Sequence, residues 1–161
     1  PGTIFAIFAG IYFWFPKITG KPLNEILGKV HFIFSFIFMN LFFMPMFFQG
    51  LAGLSRRLAD GGQSYAHTQG IVHYNDFMMY ASWGLAIAQL PFIINIIMTL
   101  MKKRDENPDS NPWQATTLEW TAAPSPPIGH GNFETIPSVY RGPYEYSVPD
   151  AEEDFIPQNK N

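Results

Sequence analysis

Three stretches of the chain carry no formal charge and are dominated by Phe, Ile, Leu and Met. They cover residues 1–16 (PGTIFAIFAGIYFWFP), residues 30–55 between Lys29 and Arg56, and residues 77–101 between Asp76 and Lys102. A bilayer core of roughly 30 Å needs about 20 apolar residues in a helix. At 26 and 25 positions the second and third runs are long enough to span, whereas the first, at 16, is marginal. In HFIFSFIFMN, Phe and Ile recur at every second position as in a strand, but the interleaved positions are mostly apolar too, and the run far exceeds a typical strand. A lipid-exposed helix is therefore the expectation. Pro45 and Pro91 fall inside these runs, where membrane helices accept proline if neighbours satisfy the freed carbonyls.

Beyond Arg104 the pattern changes. No apolar run approaches spanning length, and pieces such as APSPPIGHGN cannot continue a helix. Residues 102–161 hold nine of the 14 prolines and ten Asp/Glu against five Lys/Arg, whereas residues 1–101 hold three Asp/Glu and five Lys/Arg. The tail still carries Trp113, Trp120, Phe133, Tyr140, Tyr144, Tyr146 and Phe155, more aromatic content than a disordered segment usually has. An extended strap whose rings fill pockets on a partner is expected. The pattern thus predicts an all-α membrane protein. About three transmembrane helices of a larger bundle lie within residues 1–104, followed by an extended, acidic, Pro-rich tail over residues 105–161.

Composition removes several functions. With no Cys there is no disulfide scaffold, no thiolate metal site and no covalently attached c-type haem. A net charge of -3, with no basic cluster beyond Lys102–Arg104, gives no footprint for nucleic acid. The first run has no basic n-region and no small-residue cleavage site, so a secretory signal is not expected. Lys17, Lys21, Lys29, Lys102, Lys103 and Arg104 would share one face of the membrane, and Arg56 with Arg57 the other. Short-loop positive charge places the six-residue face and the tail on the cytoplasmic or matrix side, and the arginine pair outside.

That pair is the anomaly. Guanidinium groups are permanently charged and match carboxylates in two-point contact, so Arg56 and Arg57 could bind lipid headgroups, pair with a neighbour's acids, or hold the carboxylates of a buried cofactor. His67 and His73 share the loop GGQSYAHTQGIVHYND, but their spacing fits no helical ligand pair and no acid or thiol cluster completes a shell. Hydrogen-bonded loop histidines are expected there, an interfacial residue at His31, and a loop at His130. The Phe-rich stripe from Phe32 to Phe48 could line a cofactor pocket, although Phe is also an ordinary helix-packing residue. No nucleophile–base pair, phosphate loop or paired carboxylate is found in the apolar part.

The YFWFPKITG turn, the LNEILGKVHF stretch that opens the second run and the GLAGLSRR exit from it together resemble the last third of subunit I of haem–copper cytochrome c oxidases. There the three runs correspond to transmembrane helices ten, eleven and twelve. The tail pieces NPWQATTLEWTAAPSPP and VYRGPYEYSVPDAEEDFIPQ are similar to the cytoplasmic C-terminus of bacterial forms. The resemblance implies oxidation of cytochrome c by oxygen, which is reduced to water, with coupled proton pumping. It implies that Arg56 and Arg57 match the pair contacting the propionates of haem a and haem a3, and that Phe43 falls where an aromatic packs on the low-spin haem. The axial histidines, the copper ligands, the cross-linked tyrosine and the proton-channel residues lie upstream in the family. No catalytic residue or metal ligand is therefore expected in this chain, and copper would belong to the complex alone.

Implied partners are the N-terminal portion of subunit I, oxidase subunits II and III, cytochrome c as donor, and membrane lipids. The implied location is a bacterial inner (plasma) membrane, with a mitochondrial inner membrane as the alternative. Pro45-Met46-Phe47-Phe48 stands where many members have Pro-x-His-Phe, and the loop LADGGQSYAHTQGIVHYND differs from the mitochondrial form. Both departures point to a bacterial branch or a divergent organelle form. A chain that begins within a helix, without Met, is expected to be a fragment or a discontinuous subunit. Two alternatives stay open: a quinol-oxidising relative, and a non-catalytic membrane scaffold whose arginines serve only lipids.

Overall fold

The computed structural model describes residues 2–103, 109–127, 129, 133, 135–147 and 149–161. Arg104 and His130 lie outside the described residues. The elements are α1 (Gly2–Thr19), α2 (Glu25–Leu51), a 3-10 turn (Ala66–Thr68), α3 (Tyr74–Ile87), α4 (Leu90–Met101) and a short α5 (Leu118–Thr121). Among the described residues there is no strand, and three helical spans are long and apolar enough to cross a membrane: Gly2–Thr19, Glu25–Leu51 and Tyr74–Met101. The fold is all-α, as the apolar runs predict. The chain divides into two compact units, residues 24–97 and residues 1–23 with 98–161.

In the unit of residues 24–97, α2 opens at Glu25, ahead of the charge-free run. Asn24 caps it, its Oδ1 accepting from the Leu27 amide at 3.0 Å, and the first-turn charges Glu25 and Lys29 pair at 2.8 Å on an exposed surface. Such an exposed pair adds little, so the cap and the apolar length set the helix.

Apolar side chains alone give two helices no reason to associate in lipid; close approach and interhelical hydrogen bonds supply it. Both are present between α2 and the α3–α4 span. Phe38 lies directly over Gly84, where a Cβ would come within 2.2 Å of its ring. Near one end Asn95, fully buried, grips the backbone of Asn24: its Oδ1 accepts from the Asn24 amide and its Nδ2 donates to the Asn24 carbonyl, both at 2.8 Å.

Further along, Pro91 lacks an N–H and the span changes register just ahead of it. The Gln89 amide turns to the Ala86 carbonyl (3.2 Å), so Leu85 O loses its usual partner. The Gln89 side chain replaces that bond, Nε2 donating to Leu85 O at 3.0 Å and also to Ser35 Oγ at 3.1 Å. Its Oε1 accepts from Nε2 of His31 at 3.1 Å. His31 and Ser35 are each 2% exposed, and the His31 ring stacks on Phe92 with centroids 5.1 Å apart.

In the other unit the tail folds onto α1 of its own chain. Trp120, 1% exposed, stands edge-on to Phe13 at 5.1 Å, and the Lys17 ammonium lies 5.2 Å from its ring centroid while donating to the Ala123 carbonyl. Trp113 stacks on the same Phe13 at 6.1 Å and donates Nε1–H to the Phe13 carbonyl at 3.0 Å. Aromatic pairs of this kind add about 0.5–1.5 kcal/mol beyond the area they bury. Two rings expected to seat in a partner are therefore seated on this chain.

Gln158 ties the extended segments together. Its amide donates to Thr116 O (3.0 Å), its Oε1 accepts from the Leu118 amide (3.0 Å), its Nε2 donates to Arg141 O (3.1 Å), and its carbonyl accepts from the Tyr140 amide (2.9 Å). Lys21 Nζ donates to the carbonyls of Leu100 and Lys102, bringing basic residues from before α2 and after α4 to one place.

Candidate functional site: the arginine turn after the second helix

The path into the arginine pair is set by how α2 stops. The Gly53 amide donates to Gly50 O at 3.1 Å and the Leu54 amide to Gln49 O at 3.0 Å, with Gly53 at φ +87°. This is the Schellman arrangement, in which the left-handed residue is normally glycine because a Cβ is penalised there. Ser55, Arg56 and Arg57 follow at once. Arg57 is itself left-handed, at φ +65°. For a residue with a Cβ that conformation costs about 1–2 kcal/mol and persists only when the surroundings dictate it.

The far side of the turn is closely hydrogen-bonded. The Asp60 carboxylate accepts from the amides of Gly62 (3.0 Å) and Ser64 (2.9 Å). The Ser64 side-chain hydrogen bond, followed by these amides, holds its pKa down at about 2. Gly62 has φ +91°, and a Cβ there would strike Leu54 Cδ1 at 2.3 Å, so the two ends of the turn close against each other. Thr68, with no exposed surface, donates Oγ1–H to Gly62 O at 2.7 Å.

Two amides then fasten the loop to the helices. Gln49, 3% exposed at the end of α2, donates Nε2–H to Asn75 Oδ1 (2.9 Å) and Ile71 O (3.2 Å), while Asn75, in the first turn of α3, donates Nδ2–H to Gly61 O (3.0 Å).

On this frame Arg56 and Arg57 are adjacent and exposed, and neither meets a carboxylate within ion-pair distance among the described residues. Phe43 lies on α2, 38% exposed and edge-on to Phe42 at 5.0 Å; Phe47 and Phe48, also on α2, are exposed as well. His67 packs edge-on to Tyr65 at 5.8 Å and His73 against Tyr74 at 4.4 Å. Among the described residues no group of three His, Cys, Asp or Glu could hold a metal ion. Gln49 and Asn75 escaped the sequence reading because it weighed formal charge. A lone amide at the end of a Phe-rich run, FFQG, was the available signal.

Three membrane-length helices, with an arginine turn at the end of the second that is unpaired among the described residues, define a polytopic helical membrane protein. Residues 1–87 match the family described as cytochrome C and quinol oxidase polypeptide I, and the chain belongs to that family. It is 41% identical over 158 residues to the alternative cytochrome c oxidase subunit 1 of Bradyrhizobium diazoefficiens, covering 98% of this chain and 26% of the relative. To the cytochrome c oxidase subunit 1 of Synechocystis sp. it is 44% identical over 147 residues, covering 91% and 25%. To that of Bacillus subtilis it is 34% identical over 139 residues, covering 86% and 21%. The chain spans about a quarter of the length of these curated relatives.

Proposed function

We propose that this chain supplies the last three membrane helices and the tail of subunit I of a cytochrome c oxidase in a bacterial plasma membrane. The whole enzyme would reduce oxygen to water and pump protons. The observation that carries the reading is the arginine turn: two exposed, adjacent arginines at the end of an apolar helix, neither within ion-pair distance of a carboxylate among the described residues. Their fork geometry and permanent charge suit the carboxylates of haem propionates. The turn closes the end of α2 opposite Glu25 and Lys29, and the count of short-loop lysines places it on the outer side.

When bound, haem a and haem a3 supply the electron transfer and oxygen chemistry. Arg56 and Arg57 would hold the propionates and compensate their charge, thereby helping to set potentials and proton affinities, while Phe43 offers an apolar ring for packing. Haem ligands and copper ligands would come from the N-terminal portion of the subunit, with subunits II and III and cytochrome c completing the complex.

The test is Arg56→Ala and Arg57→Ala in the assembled oxidase. Each should shift haem midpoint potentials and slow turnover. Unchanged haem spectra, potentials and activity in both variants would overturn the reading. The family description covers quinol oxidases too, whereas these relatives are named cytochrome c oxidases, which favours the cytochrome donor. A copper-binding Cys/His domain in the partner subunit would discriminate the two, and a pyridine haemochrome spectrum would identify the haem.

A further inference from the structure

We infer that Gln49 and Asn75 are positioning residues for the arginine turn, a clasp that holds the left-handed conformation of Arg57 and with it the direction of the Arg57 guanidinium. The inference rests on the propionate reading and adds to it the part of the chain that aims that cation. Among the described residues the segment from Ser55 to Asp60 makes no hydrogen bond of its own to either helix. Its course is fixed at its two ends. On the near side the Gln49 carbonyl receives the Leu54 amide; on the far side the Asn75 amide group holds the Gly61 carbonyl. The Gln49 and Asn75 side chains join at 2.9 Å, so one bond connects both ends of the turn.

Gln49 is buried and Asn75 half-buried, so breaking the clasp leaves the Gln49 end with an unsatisfied polar group that the loop must move to relieve. Arg57 meanwhile holds a conformation that an unrestrained arginine would leave. Release of the clasp should therefore relax Arg57 first. Among the described residues no comparable hydrogen bond ties the His67 or His73 side chains to the turn, which makes the two amides the distinguishing feature of this loop.

The experiment compares Gln49→Met, Asn75→Asp, Arg57→Ala and the Gln49→Met/Arg57→Ala double variant in the assembled oxidase, with Asn75→Ser in place of Gln49→Met should that variant fail to assemble. Haem midpoint potentials and amide exchange at Leu54 and Gly61–Gly62 are measured. Gln49→Met should speed that exchange about tenfold. It should also move the potentials in the same direction as Arg57→Ala, by less, and add nothing once Arg57 is gone. Asn75→Asp keeps the acceptor for Gln49 and loses the donor to Gly61, and should give an intermediate shift. Faster exchange with unmoved potentials, while Arg57→Ala does move them, overturns the positioning role and leaves the propionate reading intact. Unmoved potentials in Arg57→Ala overturn both. An additive shift in the double variant reduces the clasp to general packing and also overturns it.

Discussion

The helix pair of residues 24–97 and the tail packed on α1 are held together by opposite means. In the first unit the surfaces are greasy and the specific contacts are polar: Asn95 on Asn24, Gln89 on His31 and Ser35, Gln49 on Asn75. In the second the segment is polar and proline-rich, and its specific side-chain packing onto α1 is by rings: Trp120 and Trp113 on Phe13, with Lys17 over the indole. Each solvent leaves a different interaction scarce. Lipid offers no competing hydrogen bonds but matches any apolar surface, so amides discriminate; water competes for every amide but rejects an indole, so aromatics do.

Four perturbations test that contrast, from the largest expected effect down. Trp120→Ala should cost the tail unit about 3–5 kcal/mol, as truncating a fully buried large ring does. Limited proteolysis of the assembled complex should then cut within residues 109–161, and a tail as resistant as wild type would break the comparison on its aqueous side. Gly84→Leu drives a side chain into Phe38 and should cost about 1–3 kcal/mol through overpacking, read as a lowered thermal inactivation temperature.

Gln89→Leu removes one hydrogen-bond partner from each of His31, Ser35 and the Leu85 carbonyl, for about 1–2 kcal/mol. If the denaturation midpoint of that variant equalled wild type, hydrogen bonding would not be what joins α2 to α3–α4.

The smallest effect is acid release of the outer loop. Because the folded Asp60 pKa is lowered to about 2, its contribution is complete above the ordinary carboxylate value near 4 and is lost as pH falls from there toward 2. Amide exchange at Gly62 and Ser64 should accelerate only in that window. Asp60→Asn should abolish the pH dependence; an unchanged profile would exclude the carboxylate as the cause.

Spans were legible because a bilayer imposes a length, and two charge-free runs met it, the first, at 16 positions, being marginal. Helix starts were less so: counting charge put the beginning of the second run at residue 30, while Asn24 caps a helix whose first turn keeps Glu25 and Lys29 at the surface. The arginine pair stood out as two adjacent cations beside an apolar run. Its frame did not, since Gln49, Asp60, Thr68 and Asn75 converge from four separate places and no local pattern announces that. The tail's rings were visible as unusual content, but their seat on Phe13 and Lys17 joins residues about a hundred positions apart.

A proline in a spanning helix ordinarily leaves a flexible joint. At Pro91 the joint has been welded, because the Gln89 carboxamide that replaces the missing bond to Leu85 is also anchored to the opposite helix. The segments before and after the break cannot pivot without dragging α2 along. Mechanical strain entering at either end of this span would therefore be carried sideways into its neighbour instead of being absorbed as a bend.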